Sequence, residues 1–236
     1  MTDERPFHFK HFSLYHHRST MKVGTDAILL GCWVEVKPTD VVFDIGTGCG
    51  LLPLMLSQKG VSQVDAVDID AASIKEATIN FEASQWREHL QAICADITDY
   101  QSDKKYDLVI SNPPFFNHYS KCDSERKSRA RHNDVTLSYE SLCAVVGRLL
   151  KPDGRFALVL PVIASIEFLK VAEKSGLFLH KKLNIIPTEE EAPNRVNLEL
   201  QLFKPSEIQE DNFLIRSKDK RFTDQYHEYL KDFYLG

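Results

Sequence analysis

The feature that most constrains this chain is a short apolar run, Val41–Ile45, that carries an acid at Asp44 and turns at once through Gly46-Thr47-Gly48-Cys49-Gly50 into the helical pattern Leu51–Gln58. Glycines at alternate positions leave the backbone bare where a strand becomes a helix. A bare backbone there admits a ligand that side chains would block. The alternation continues: residues 64–67 read as a strand before Asp68-Ile69-Asp70, residues 71–84 place apolar side chains at i, i+3 and i+4, and Leu90–Cys94 is a third strand ending at Ala95-Asp96. Strands alternating with helices predict an α/β fold, a mostly parallel sheet with helices on both faces.

A fourth apolar run, 108–111, meets Asn112-Pro113-Pro114-Phe115-Phe116. Two prolines continue neither a central strand nor a helix interior, so the chain must leave the sheet there. A polar, basic stretch over 117–134 leads to a helix over 139–150, a turn at Lys151-Pro152-Asp153-Gly154, a fifth strand over 155–160 and a helix ending at Gly176. Residues 177–186 and 196–203 read as two long antiparallel strands at the C-terminal edge, which makes the expected sheet seven-stranded. Residues 212–236 read as a strand followed by an amphipathic helix.

At 236 residues with 43% hydrophobic side chains, the chain has the material for one large domain. It shows neither a basic start before an apolar core nor a run near the ~20 apolar residues of a spanning helix, so a cytosolic address without membrane contact is expected. The five cysteines, Cys32, Cys49, Cys94, Cys122 and Cys143, include no CxxC pair, and they read as free thiols with no metal site. A net charge of −5 argues against holding nucleic acid by bulk electrostatics. The average hides an asymmetry: residues 64–107 carry ten acidic and four basic side chains, residues 1–22 four basic, two acidic and four histidines, and Arg216, Lys218, Lys220 and Arg221 cluster near the end. Each basic segment is either a local patch or a solvated surface.

Acids at three successive strand ends, Asp44, Asp68 and Asp96, together with the glycine loop, point to one nucleoside-bearing ligand laid across the carboxyl edge of the sheet. Asp68 suits the vicinal hydroxyls of a ribose, Asp96 beside Ile97 suits an adenine amino group, and Asp70 serves equally as a helix cap. Dinucleotide-binding enzymes share such a loop, but this one departs from G-x-G-x-x-G. The arrangement resembles the class I methyltransferases, in which the loop approaches the methionine part of S-adenosylmethionine and the later acids hold ribose and adenine. That resemblance implies a Rossmann-like fold, S-adenosylmethionine as cofactor, and contacts from Asp44, Gly46, Gly48, Gly50, Asp68, Ile69, Asp96, Ile97 and Asn112.

An exocyclic amino group on adenine is a weak nucleophile because its lone pair is delocalised into the ring. An enzyme gains by holding both N–H hydrogens on acceptors. Asn112 offers its side-chain oxygen, and the prolines leave the Pro113 carbonyl out of any helix as the second acceptor. Phe115 presents a π-face to a base drawn out of its stack. As an isolated tetrapeptide this is a loop with a buried aromatic. After a fourth strand and a nucleoside pocket, Asn112-Pro113-Pro114-Phe115 resembles the (Asp/Asn/Ser)-Pro-Pro-(Tyr/Phe) motif that is catalytic in amino-group methyltransferases.

The motif does not separate adenine N6 from guanine N2 or a glutamine side-chain amide. Further segments do: the stretch Met21-Lys22-Val23-Gly24-Thr25-Asp26 through Trp33, Ala130-Arg131-His132, Asn194-Arg195-Val196 and Phe233-Tyr234-Leu235 resemble the bacterial valine-tRNA (adenine-37-N6)-methyltransferases over nearly the whole chain. On that resemblance the partner is tRNA, Lys22, Thr25 and Asp26 fold over the cofactor, and Phe115, Phe116, Arg131, His132 and Arg195 face the substrate; read from the residues alone, Arg131 and His132 serve equally as a charged surface pair and Arg195 as the start of a strand. Thr25 or Asp26 serves equally as the cap of the following helix. The implied organisation is one domain over 1–236, with a cofactor-covering segment (1–39), a Rossmann-like core (40–204) and a C-terminal strand and helix (205–236). Glutamine methyltransferases with a related motif usually carry a separate helical domain before the sheet, and only ~40 residues precede Val41 here, which makes that reading the weaker one; guanine-N2 enzymes of ribosomal RNA often carry a second methyltransferase-like domain, which this length excludes, while shorter ones stay open. A non-catalytic cofactor-binding module would have no need of Asn112, and oligomeric state is not legible in the sequence.

Overall fold

A computed structural model describes residues 5–19, 22–113 and 137–234. Pro114, Phe115, Phe116, Arg131 and His132 therefore lie outside the described residues. Two short strands, β1 (Phe7–His8) and β2 (Ser13–Leu14), pair antiparallel before helix α1 (Thr25–Trp33). The alternation then follows as β3 (Val41–Ile45), α2 (Leu51–Gln58), β4 (Gln63–Asp68), α3 (Ala71–Glu82), β5 (Leu90–Cys94) and β6 (Tyr106–Ser111). After the undescribed stretch come α4 (Tyr139–Leu149), β7 (Leu150–Pro161), α5 (Val162–Lys174), β8 (Phe178–Thr188), β9 (Arg195–Gln201), β10 (Gln209–Arg216) and α6 (Asp224–Leu230).

The central strands are apolar on both faces, as a parallel sheet between helix layers requires. Val42, Leu108, Ala157 and Val159 face Leu30 and Val34 around α1 and Leu52 and Leu56 of α2. Phe43, Val109, Phe156 and Leu158 face Leu142 and Val146 of α4 and Phe168 of α5. The strand order is β10-β8-β9-β7-β6-β3-β4-β5, and β9 alone runs against its neighbours. From β3 the chain winds outward through β4 and β5, whereas β6 and β7 continue on the other side. The β3/β6 boundary is thus the switch point where open α/β sheets open a crevice at their carboxyl ends.

Two local expectations need correction. The sheet has eight strands rather than seven, because β10 adds parallel to β8 and takes the edge, leaving the antiparallel β9 inside. Its polar first half carries no strand pattern of its own; Lys182 and Asn184 of β8 each donate to Glu210 Oε1 at 2.8 Å, while Phe213 is buried against Tyr226 and Tyr229 of α6. The expected turn at 151–154 is instead the start of β7, which pairs Leu150 with Tyr106 before a register shift. Gly154 is required there: a Cβ would lie 2.8 Å from the Tyr106 carbonyl oxygen. The two ends of the chain meet, with Phe9 stacked between Phe12 and Tyr234 and Lys10 N donating to Phe233 O at 2.8 Å. Cys32, Cys49, Cys94 and Cys143 are free, and Cys122 lies outside the described residues. Among the described residues no helix is long and apolar enough to cross a membrane.

Candidate functional site

The carboxyl ends of β3, β4, β5 and β6 gather most of the described candidate residues along one edge. Gly46, Gly48 and Gly50 all adopt positive φ (73°, 54° and 84°), so the loop needs glycine for conformation alone. They differ in what surrounds them. A Cβ at Gly46 or Gly48 would meet no atom within 4 Å, whereas one at Gly50 would sit 2.4 Å from Phe81 Cε1. The first two therefore face open space at the mouth of the crevice, and the third lets α3 close on the loop. Gly46 N and Thr47 N donate to Val67 O (2.8 and 3.0 Å), and Gly48 N donates to Asp68 Oδ2 (2.8 Å), which fixes the loop against β4.

Asp44 is completely buried (0% exposed), and neither carboxylate oxygen has a hydrogen-bond partner among the described residues. Burial raises its pKa to about 7; the nearby Thr47 hydroxyl, itself outside hydrogen-bond geometry, opposes the rise and the Asp68 carboxylate reinforces it. An acid left so costly without a partner is an acceptor waiting for a donor. Asn112, just past β6, is in the same condition: its Oδ1 is buried and has no partner among the described residues, and the residue lines one cleft with Lys22, Val23, Gly46, Thr47 and Gly48. Ser111 Oγ donates to Ile45 O at 2.8 Å and ties the end of β6 to the end of β3, so Asn112 and the glycine loop are held as one unit. A bare backbone cradle and two orphaned buried acceptors fit a ligand with N–H donors, as S-adenosylmethionine and an amino-group substrate both have.

Asp70 is a cap, accepting from Ala72 N and Ser73 N at the start of α3, and its carboxyl is held low by the Ser73 hydroxyl. Asp68 accepts from Asp70 N at 2.9 Å through its other oxygen, so it braces the loop before meeting any ribose. Asp96 Oδ1 accepts from Thr98 Oγ1 and Thr98 N (2.7 and 2.8 Å), which keeps its pKa low and the carboxylate charged. Ile69 is 60% exposed beside this edge, an open apolar surface for a planar ring. Ile97 is only 7% exposed, and its side chain belongs to the core with Phe43 and Val67.

Neither Thr25 nor Asp26 caps α1: the cap position is Gly24, without a side-chain bond. Asp26 Oδ2 instead accepts from Arg195 Nε at 2.8 Å, pairing a cofactor-side candidate with a substrate-side one. Residues not singled out from sequence also build the site. On the buried face of α3, Asn80 Nδ2 donates both to Cys49 O in the glycine loop and to Tyr15 O (2.8 Å each). Glu76, one turn earlier, accepts from the backbone N–H groups of His17, Arg18 and Ser19 and from the Ser19 hydroxyl. Polar residues in line with Ala77 and Phe81 on a helix's apolar face were the signal that would have found them.

Residues 18–161 match the methyltransferase small domain family. The chain belongs to that family. Its relatives named tRNA1(Val) (adenine(37)-N6)-methyltransferase include proteins from Bacteroides fragilis (37% identical, 97% of each chain covered) and Tolumonas auensis (39% identical, 97% of this chain and 96% of that protein). Matches of this extent bear out the resemblance read from the sequence. Among solved structures, a predicted O-methyltransferase from Agrobacterium tumefaciens superposes with a TM-score of 0.66 at 16% identity, covering 88% of this chain and 96% of that one. The glycopeptide N-methyltransferase MtfA complexed with S-adenosyl-L-homocysteine gives 0.52 at 13% identity, covering 70% and 84%. The fold is the Rossmann-like class I methyltransferase fold.

Proposed function

We propose that this chain transfers a methyl group from S-adenosylmethionine to the exocyclic N6 of adenine in tRNA, the adenine at position 37 of valine tRNA. The observation that carries the chemistry is that Asn112, whose buried Oδ1 has no partner among the described residues, lines the same cleft as the bare glycine loop. The substrate is supported by the names of the relatives matched over nearly the whole chain.

Gly46 and Gly48 would hold the methionine part against the backbone, with the buried Asp44 carboxylate as acceptor for its amino group and Lys22 and Thr25 above it. Asp68 would accept from the ribose hydroxyls, Ile69 would cover the adenine face, and Asp96 with the Ile97 backbone would hold the adenine edge. Bound S-adenosylmethionine supplies an electrophilic methyl group on a sulfonium. Asn112 Oδ1 and the Pro113 carbonyl accept the two N–H hydrogens of the substrate amino group, which favours a more tetrahedral nitrogen and aims its lone pair for an in-line displacement. No strong base is required, since the proton leaves to solvent once nitrogen carries positive charge. By the resemblance Phe115 would stack on the extruded base, with Phe116, Arg131 and His132 as further substrate contacts; all four lie outside the described residues. Arg195 acts through Asp26, holding the first turn of α1 beside the cleft. On this reading the partner is tRNA and the place of work is the cytoplasm.

Incubation with methyl-labelled cofactor and separate pools of tRNA, rRNA, DNA and release-factor protein tests the proposal. Label in tRNA at adenine N6 is the expected result; label in the protein pool alone would refute the RNA reading, and label at guanine N2 of rRNA would refute the choice of base.

A further inference from the structure

Residues 5–22 contain Arg5, Lys10, Arg18, Lys22 and four histidines without a single acid, in a chain whose net charge is −5. Within this segment Tyr15 is held unusually firmly. Its N–H donates to Asn80 Oδ1 and its carbonyl accepts from Asn80 Nδ2, both at 2.8 Å, while the residue is 41% exposed. Arg18 is held the same way: its N–H donates to Glu76 Oε1 at 3.0 Å, and its guanidinium has no partner among the described residues. Four donors on Glu76 occupy that carboxylate, so it offers little to an outside cation.

Tyr15, His17, Arg18 and Ile79 line a cleft over Glu76, and Ile79 adds a 40% exposed apolar side chain to its wall. The cleft lies close to the catalytic edge. Asn80 binds Tyr15 O and Cys49 O with one amide nitrogen, and Ser19 is three residues from Lys22 of the cofactor cleft, at most about 11 Å of chain. An exposed ring with a locked backbone loses little freedom on binding, and the neighbouring Arg18 cation completes the two contacts that single-stranded RNA offers, a base face and a phosphate.

We infer that this cleft is a second RNA subsite, in which Tyr15 stacks on a base neighbouring the nucleotide held at Asn112 and Arg18 pairs with its phosphate. The inference rests on the tRNA reading above and names residues that reading does not use. Ring stacking rather than hydrogen bonding carries it, so the hydroxyl of Tyr15 is dispensable.

The test uses full-length protein saturated with S-adenosylhomocysteine and unmodified valine tRNA, with Kd followed across a KCl series and methylation kinetics measured in parallel. Tyr15→Ala is expected to raise the tRNA Kd and KM about 5- to 150-fold, the loss of one stacked base. The effect falls on KM rather than kcat, and S-adenosylhomocysteine affinity by calorimetry stays at the wild-type value. Tyr15→Phe restores tRNA affinity, and Arg18→Gln lowers the salt dependence by about one phosphate contact. A tRNA Kd for Tyr15→Ala within twofold of wild type overturns the inference, as does a parallel loss of S-adenosylhomocysteine binding, which would make Tyr15 a structural residue of the glycine loop. Failure of the wild-type protein to methylate tRNA overturns the substrate reading and this subsite with it, and is recognised because no variant is needed to see it.

Discussion

Replacing Asp44 by Asn removes a charge from the most enclosed acid of the site while keeping its shape. In the folded chain its pKa stands at about 7 against an ordinary 3.8, raised first by burial. The folded state therefore keeps a proton that the unfolded chain has lost between those values, and stability falls as pH rises through that window, levelling off above pH 7. At about 1.36 kcal/mol for each pH unit, the charged carboxylate costs the ligand-free protein up to ~4 kcal/mol at pH 8. About half of that, ~2 kcal/mol, is already present at pH 5.5. Asp44→Asn should thus gain on wild type by ~2 kcal/mol between pH 5.5 and pH 8, a difference from which other titrating groups cancel. Urea denaturation of both proteins without cofactor measures it. A stability difference that does not change with pH would refute the claim that Asp44 sits buried without a partner. The same substitution should weaken S-adenosylhomocysteine binding, since Asn replaces the anionic acceptor; unchanged affinity would mean the ligand does not use it.

Asn112→Ala should lower kcat about 100- to 1000-fold, the effect of deleting one preorganised hydrogen-bond partner at a reacting group. Tm should hold, because Oδ1 has no partner among the described residues; a wild-type kcat would exclude Asn112 from the chemistry. Gly48→Ala and Gly50→Ala should fail differently. The first adds a methyl where nothing stands within 4 Å and should chiefly reduce cofactor affinity, with ~1–2 kcal/mol of backbone strain. The second also drives a Cβ into Phe81 and should lose a further ~1–3 kcal/mol, partly recovered by Phe81→Leu; denaturation and calorimetry separate the two cases. Arg195→Ala should cost no more than ~1 kcal/mol of stability, as a half-exposed pair, yet raise KM for the cofactor by freeing Asp26. An unchanged KM would confine that pair to a structural role.

What the sequence determined by itself is whatever depends on neighbours along the chain. Strand period, the positive φ of Gly46, Gly48 and Gly50, and the exclusion of Pro113 from strand and helix are local properties, so the alternating fold, the glycine loop and the end of β6 before Asn112 were all readable. The acids at the strand ends were readable as positions but not as states. Asp44 lies inside β3 level with Ala66, Asp68 ends β4 level with Cys94, and Asp96 lies past β5; the first is buried with no partner among the described residues, the second braces a loop and the third is held charged by Thr98. Which of these an acid becomes depends on the layers above and below the sheet edge. Tertiary packing likewise decided the Asp26–Arg195 pair, joining residues 169 apart, and the place of β10, whose polar half is a strand only because β8 supplies its hydrogen bonds. The bolt from Glu76 and Asn80 to Tyr15, Ser19 and Cys49 belongs to the same class. Solvent exclusion and partners distant in the chain are properties of the assembled layers, and they turn a legible motif into a site with one charge state, one loop conformation and one open side.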